Sequence, residues 1–273
     1  MKEEYKALYG KSETKEEALT RLCNVMEILR KECPWDKVQT HESLERDMIE
    51  EAYEAVNAIM KNDAENLREE LGDVLLQVVF HSLIAEEDEQ FELKDVIDAE
   101  SDKMIGRHPH IFSTENAKTI DKVLEKWENI KSREHGELSF TDRLKNVPEA
   151  LPALMRSEKV QRRAAKAGFD WNSAEGAFDK LEEEIEELKE ACISGVQSHI
   201  EEEFGDMLFS MVNVSRFLNV DPEKSLNGCT EKFIRRFEYM EEAATLQHRS
   251  LNSMSLEEME ALWVEAKNNL RNK

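Results

Sequence analysis

The sequence predicts an all-α protein of two tandem helical-bundle domains, and three observations support this. Apolar residues recur every three to four positions along most of the 273 residues, whereas the alternating pattern of strands is nearly absent. Only five prolines and nine glycines interrupt these segments. Motifs of the first half recur in the same order in the second, which indicates an internal duplication. We expect domains at 1–135 and 136–273, each with four or five helices around an acidic helical hairpin.

Helices are predicted in order along the first half. The first spans about residues 14–31, where apolar residues keep core spacing, and it ends before Pro34 because a residue preceding proline disfavours the α conformation. The acidic hairpin follows at 49–86. Further helices are expected at 93–106 and near 119–133. A linker near residues 133–140 then precedes the second copy.

Five carboxylates of this hairpin have the spacing that places acids on facing helix surfaces. Asn62 tolerates the left-handed conformation that ends a helix, and Asp63 is suited to cap the next one. A turn at Asn62 sets acids eight residues before and after it at the same height. We therefore expect one acid cluster. Its members are Glu50, Glu51, Glu54, Glu70 and Asp73.

The second half repeats this pattern 133 residues later, with Gly195 at the equivalent turn. Pairs of residues four apart recur downstream as well. Because a solvated acidic face has no reason to keep this order, a functional site is favoured over a plain charged surface. The repeated acids are Glu183, Glu184, Glu187, Glu203 and Asp206. The downstream pairs are Lys103 and Arg107, Trp127 and Lys131 in the first half, and Lys232 and Arg236, Trp263 and Lys267 in the second.

Such clusters favour a bound cation, because like charges in a partly desolvated site repel. Hard oxygen ligands without His or Cys favour Mg²⁺, with Mn²⁺ as a substitute. A di-iron bundle is disfavoured because no His stands three residues after the acids, as its Glu-x-x-His motif requires. Divalent ions followed by helix-borne Lys and Arg suit phosphoryl or nucleotidyl chemistry.

Charge and composition exclude other classes. The net charge of −23 and a pI near 4.8 argue against direct nucleic-acid binding. A polyanionic ligand would need metal ions to enter. No apolar run of 18 residues and no signal-peptide pattern occurs, so no membrane association and a cytoplasmic location are expected. The four cysteines lack CxxC spacing and are interpreted as reduced thiols.

Several motifs together resemble the MazG family of all-α nucleoside triphosphate pyrophosphohydrolases. They are the two pairs of EExxE and ExxD, CPWD at 33–36, HPHIF at 108–112 and KF..RF at 232–237. The resemblance extends from about residue 19 to residue 267. It implies Mg²⁺-dependent hydrolysis of nucleoside triphosphates to the monophosphate and pyrophosphate by a homodimer, with broad base tolerance.

The resemblance also implies roles for residues of the second half. Its five acids would hold metal, and four downstream residues would bind the nucleotide: Lys232, Arg236, Trp263 and Lys267. Of these residues, Glu184, Lys232, Arg236 and Lys267 are expected to take part in catalysis. Two alternatives stay open: Trp263 stacks on a base or packs in the core, and His108 and His110 bind phosphate or belong to a packed loop.

The two halves are not expected to be equal. Asn213 stands seven residues after the last acid of the second half, where the first half has Phe80. An Asn can hydrogen-bond a metal-bound water or a sugar hydroxyl, which a Phe cannot. We expect the second half to carry most of the catalysis; the alternative is two working sites with different nucleotide preferences. A rival from another class is a metal- and nucleotide-binding regulatory protein without turnover, which the completeness of both acid sets disfavours.

Overall fold

The computed structural model describes residues 2–113, 119 and 139–270. In these ranges the regular elements are helices and no strand occurs, so the predicted all-α class is confirmed. The chain divides into two compact units, Met1–His135 and Gly136–Lys273. Apart from its first residue, the helix predicted at 119–133 lies outside the described residues, and so do Trp127 and Lys131.

The first unit is arranged around a helical hairpin. A short 3-10 helix (Glu3–Tyr9) precedes α1, which Thr14 caps by accepting a hydrogen bond from the backbone N of Glu17. The first helix ends before Pro34, as predicted. The described helices are α1 (Lys15–Glu32), α2 (Glu45–Lys61), α3 (Ala64–Glu87), α4 (Leu93–Arg107) and the single turn α5 (Pro109–Phe112).

The core of this unit lies where α1, α3 and α4 meet. Its buried side chains come from α1, from the loop before α2 and from α3; they are Met26, Leu44, Val79, Phe80 and Ile84. Arg30 of α1 covers this core, with its guanidinium 5.6 Å from the ring centroid of Phe80. It also pairs with Glu87 at the end of α3, with N–O distances of 3.1 and 2.8 Å. Helix α3 is thereby fixed against α1 beyond the hairpin.

The second unit repeats the hairpin with α8 and α9. Its described helices are α6 (Phe140–Lys145), α7 (Ala153–Lys166), α8 (Ala174–Ser194), α9 (Gln197–Phe217), α10 (Pro222–Leu246) and α11 (Leu256–Asn269). Helix α7 packs on α9, and α10 packs on both α7 and α11. Ala177, Leu181 and Val214 form a buried cluster between α8 and α9. Gln161 of α7 joins this packing by donating a 2.8 Å hydrogen bond to the carbonyl of Phe209.

No helix in the described ranges is both long and apolar enough to cross a membrane.

Candidate metal and nucleotide site

Both hairpins turn at the predicted residues. Asn62 ends α2 in the left-handed conformation, with φ 54° and ψ 38°, and Gly195 ends α8 with φ 70° and ψ 13°. Asp63 caps α3 by accepting hydrogen bonds of 3.1 Å from the backbone N of Glu65 and of Asn66. The turn therefore sets the two helices of each hairpin side by side, so that acids eight residues from it face each other.

In the first unit three carboxylates converge. One oxygen each from Glu51, Glu70 and Asp73 lies within 4.8 Å of the others, and Glu70 is 8% exposed. Burial raises the pKa of Glu70, and the negative charge of the neighbouring Glu54 raises it further. Burial also raises the pKa of Glu51, followed in effect by the charge of Asp73. Four of the five predicted acids thus share one partly desolvated, negatively charged site.

The second unit forms the equivalent group from Glu184, Glu187 and Glu203, again with oxygens within 4.8 Å of one another. Glu184 is 6% exposed, and the Nε2 atom of His199 lies 3.2 Å from Glu203. Burial raises the pKa of Glu187; the charges of Glu184 and Glu203 act in the same direction, whereas Lys180 lowers it. The ammonium group of Lys180 is therefore a cation that this cluster already contains.

That cation was not predicted. The Nζ atom of Lys180 lies 2.8 Å from an oxygen of Glu183 and 2.8 Å from an oxygen of Glu184. These two hydrogen bonds raise the pKa of Lys180 well above its usual value. The signal in the sequence was its position four residues before Glu184, on the same helix face. The residue 133 positions earlier is Asp47, so the two units carry opposite charges at this place.

Four predicted acids lie outside the two groups of converging oxygens, although one of them, Glu54, is close enough for its charge to raise the pKa of Glu70. Glu50 forms an ion pair with Arg46 at 2.7 Å, and Glu183 is held by Lys180. Asp206 is exposed on α9, one turn after Glu203. The convergent groups of the described residues are therefore smaller than the sequence pattern suggested.

The donor chemistry of both groups fits a hard divalent cation. Among the described residues, both groups of three contain carboxylates alone, which Mg²⁺ and Mn²⁺ prefer over soft ligands. In the first unit Gln77 is 6% exposed, and its buried Oε1 has no hydrogen-bond partner among the described residues. It lies four residues after Asp73, on the helix face that carries the acids. The residues present fit a bound Mg²⁺ or Mn²⁺.

The predicted basic and aromatic residues are only partly brought together. On α10 and α11, the guanidinium of Arg236 lies 5.4 Å from the ring centroid of Trp263, whose ring also packs on Phe233 at 5.0 Å. Lys232 and Lys267 are exposed. In the first unit Lys103 pairs with Glu100 on α4, and Arg107 ends the same helix.

His108 and His110 lie at the short turn of α5 rather than in an irregular loop. Their ring centroids are 5.6 Å apart, and Nδ1 of His108 lies 2.6 Å from the carbonyl oxygen of Met104. Both side chains are half-buried. This arrangement supports the packed segment over the phosphate-binding alternative.

The sequence also matches a known domain twice. The MazG nucleotide pyrophosphohydrolase domain aligns with residues 39–112 and again with residues 173–240, which together make up more than half of the chain. The chain belongs to the MazG family. The predicted internal duplication and the predicted enzyme class, a nucleoside triphosphate pyrophosphohydrolase, are confirmed. Each MazG match contains one acid hairpin and the basic pair that follows it.

Two relatives align over nearly their whole length. The "Nucleoside triphosphate pyrophosphohydrolase/pyrophosphatase MazG" of Thermotoga maritima is 44% identical over 248 residues, covering 90% of this chain and 94% of the relative. The "Nucleoside triphosphate pyrophosphohydrolase" of Escherichia coli K12 is 40% identical over 254 residues, covering 91% and 97%. A solved structure of a mazG-related protein from Thermotoga maritima covers 42% of this chain and 99% of its own, at 28% identity and a TM-score of 0.38.

The position expected to distinguish the two MazG units lies beside a buried arginine in both. Phe80 is 3% exposed and stacks under Arg30. Oδ1 of Asn213 accepts a 3.0 Å hydrogen bond from Arg216, which also pairs with Asp170 at 2.5 Å. Phe80 is therefore a core residue of the first unit, whereas Asn213 keeps its amide N–H groups for another partner.

Proposed function

We propose that this chain is a Mg²⁺-dependent enzyme that hydrolyses ribo- and deoxyribonucleoside triphosphates to the monophosphate and pyrophosphate, with broad base tolerance. One observation carries the proposal: Glu184, Glu187 and Glu203 bring carboxylate oxygens within 4.8 Å of one another, inside a hairpin that matches the MazG domain. Glu183 and Asp206 flank this group and would complete the metal shell.

The residues of this site have separable tasks. Mg²⁺, or Mn²⁺ in its place, would bind the carboxylates and supply Lewis-acid activation of phosphate oxygens and water. Glu184 is fixed by burial and by Lys180, so its oxygen is preorganised for a cation. Lys232 and Lys267 offset the charge of the triphosphate. Arg236 offers a planar fork that binds two phosphate oxygens at once.

We propose that the second unit is the main catalytic site. Ser210 and Asn213 follow Asp206 by four and seven residues, which places them in one stripe on the same face of α9. The first unit has the larger Gln77 and Phe80 at the equivalent positions. The second unit therefore has smaller, polar side chains in this stripe, and the amide N–H groups of Asn213 are suited to a sugar hydroxyl or a metal-bound water. The first-unit acids would also hold metal, with Lys103, Arg107, Trp127 and Lys131 serving its nucleotide.

We also propose a homodimer. Helix α2 exposes an apolar stripe of Ile49, Tyr53 and Val56 at spacings of three and four residues, which is one helix face. Helix α9 exposes Leu208 and Met211 in the same way. Apolar stripes of this kind are typical of helix surfaces that a second copy covers.

Product analysis separates this function from its rivals. Purified protein is incubated with ATP and Mg²⁺, and with EDTA in place of Mg²⁺ as the control, and the products are resolved by anion-exchange chromatography. Monophosphate and pyrophosphate formed only with metal support the proposal. Diphosphate and phosphate would move the cleaved bond to the β–γ position. Binding of ATP without product would instead support the regulatory protein without turnover.

A further inference from the structure

Two histidines of the first unit are joined by a hydrogen bond outside its acid cluster. Nδ1 of His41, in the loop between α1 and α2, lies 2.7 Å from Nδ1 of His81 on α3. The two ring planes differ by 1°, and the ring centroids are 5.0 Å apart, which is the N–N distance extended by one ring radius on each side. The rings therefore meet edge to edge in one plane.

The burial of His81 decides which ring donates. A hydrogen bond between two ring nitrogens needs a hydrogen on one of them and a lone pair on the other. Nε2 of His81 is buried and has no hydrogen-bond partner among the described residues. Because buried N–H groups without an acceptor are rare, His81 carries its hydrogen on Nδ1 and donates it to His41. His41 then carries its own hydrogen on Nε2.

A proton added to this pair has no favourable place to bind. The hydrogen bond occupies Nδ1 of both rings, and Nε2 of His41 already carries a hydrogen. The remaining lone pair is that of Nε2 of His81, which is buried without a partner. Burial lowers the pKa of His81, and a positive charge on His41 lowers it further. The closed pair therefore resists protonation.

Charged groups on the surrounding elements do not offset these two effects. Arg30 of α1 pairs with Glu87 at 2.8 Å, and Glu42 of the loop is exposed. The loop also contains Asp36, the first turn of α2 contains Glu45 and Asp47, and the first turn of α4 contains Asp95. Within the described ranges none of these groups shifts the pKa of His81, on which burial and His41 act.

The pair attaches one stretch of the loop at 33–44 to α3. On one side of His41 the loop is held by Arg30, which donates a 3.0 Å hydrogen bond to the carbonyl of Gln39. On the other side Leu44 is buried in the core. Between these two anchors, the other side-chain hydrogen bonds of the described structure stay inside the loop. The bond to His81 therefore fixes residues 40–43 against another helix.

The second unit has no counterpart of this pair. Ala174 and Val214 stand 133 positions after the two histidines. Val214 packs with Ala177 and Leu181 in the buried cluster between α8 and α9. The first unit thus has two titratable rings where the second unit has small apolar side chains.

We propose that His41 and His81 form a proton-sensitive latch, which releases residues 40–43 from α3 in weakly acidic solution. Each separated imidazole binds a proton with the ordinary pKa of about 6.5, whereas the closed pair excludes it. The closed form is therefore fully stable above this pH and loses stability as the pH falls through it. Acidification acts on one of the two MazG units, and this inference does not depend on the proposed function.

Hydrogen exchange of the full chain, read by mass spectrometry and corrected for the intrinsic rate, tests the latch. Opening takes up two protons, so the exchange of amides at 40–44 should rise about 100-fold between about pH 7.5 and about pH 5.5. The start of α8 at 173–177 is the internal control, because it has no histidine pair. Its corrected exchange should not change with pH.

Two variants remove the latch, and a third is the matched control. His81→Val introduces the side chain that the second unit has at this position, and the loop should then exchange at a rate independent of pH. His41→Ala should do the same, which keeps a test available if circular dichroism shows that His81→Val loses helix. His248→Asn removes an exposed histidine at φ 54°, which Asn tolerates, and should keep the wild-type pH dependence.

Nitrogen NMR of ¹⁵N-labelled histidines reads the proton positions directly. In neutral solution we expect His81 to be protonated on Nδ1 and His41 on Nε2, with signals assigned from the two variants. Three results would overturn the inference. They are Nε2 protonation of both rings, a rise in corrected loop exchange of less than about tenfold over this pH range, and an unchanged pH dependence in both His81→Val and His41→Ala.

Discussion

Two valines at equivalent positions allow each unit to be destabilised separately. Val79 of α3 and Val212 of α9 are 133 residues apart, and each is 1% exposed. Substitution by Ala removes two methyl groups from a closed core without introducing a polar atom. Because neither side chain carries a charge or a hydrogen bond, any effect on activity reports the stability of its unit.

The expected magnitude follows from burial. Two methyl groups at about 0.8 kcal/mol each give roughly 1.6 kcal/mol of lost transfer free energy. The remaining cavity adds a further cost, so the free energy of unfolding of the affected unit should fall by about 2 to 3 kcal/mol. For a unit of this size about 4 °C corresponds to each kcal/mol, which gives a shift of roughly 10 °C.

Thermal unfolding by circular dichroism and the rate of pyrophosphate release are measured at the same temperatures. Val79→Ala should shift the unfolding of the first unit, and Val212→Ala that of the second. If the second unit is the main catalytic site, only Val212→Ala should lower the temperature at which hydrolysis stops. An equal loss of activity in both variants would refute this assignment, and a shift below about 1 kcal/mol in either would refute the packing argument.

Three further predictions concern charge, nucleotide contact and assembly. Burial raises the pKa of Glu70 in the folded state. The metal-free fold therefore loses stability as the pH rises above the pKa that this carboxyl has in the unfolded chain. Glu70→Gln should raise Tm more at pH 7 than at pH 4.5, and equal rises would contradict this prediction. Arg236→Lys should raise KM about tenfold without changing Tm. Arg235→Lys, at the exposed neighbouring residue, is the control and should leave KM unchanged. Equal effects of the two substitutions would count against phosphate binding by the guanidinium of Arg236. Light scattering of the wild-type protein should give twice the 31.7 kDa mass of one chain. Leu208→Glu, which places a charge on the apolar stripe of α9, should give a smaller mass. A monomeric wild-type protein would exclude the dimer.

The hairpins were predictable because local chemistry determines them. Asn62 and Gly195 are residues that accept the left-handed conformation, and each lies midway between two acids that must face each other. Asp63 follows as a helix cap for the same local reason. Such features depend on a few consecutive residues, so the sequence alone contains the information.

The membership of the acid clusters was less predictable. Spacing of three or four residues permits Glu50 to join Glu54, yet Glu50 pairs with Arg46 on the outer surface. Neighbouring positions differ by about 100° around a helix, so consecutive glutamates cannot both face the partner helix. The recurring basic pairs all lie downstream of the acids, so the repeat pattern does not indicate Lys180, which precedes them and has no basic equivalent in the first unit.

Position 80 shows the limit set by tertiary packing. Helical spacing from Asp73 suggested that Phe80 lines the acid pocket, but it is buried in the core under Arg30. Arg30 comes from α1, some fifty residues earlier, and no local pattern reveals that it stacks there. Asn213 is similarly occupied on one side by Arg216. The proposed difference between the units therefore depends on Ser210 and Lys180 as well.

The most direct test of the account compares Glu51→Ala with Glu184→Ala, which remove equivalent acids from the two clusters. Products are resolved for several nucleoside triphosphates in Mg²⁺, with wild type and with each variant. We predict monophosphate and pyrophosphate from wild type, nearly unchanged turnover in Glu51→Ala, and a loss of at least about 100-fold in Glu184→Ala. Equal losses in the two variants, or full activity in Glu184→Ala, would contradict the assignment of catalysis to the second unit.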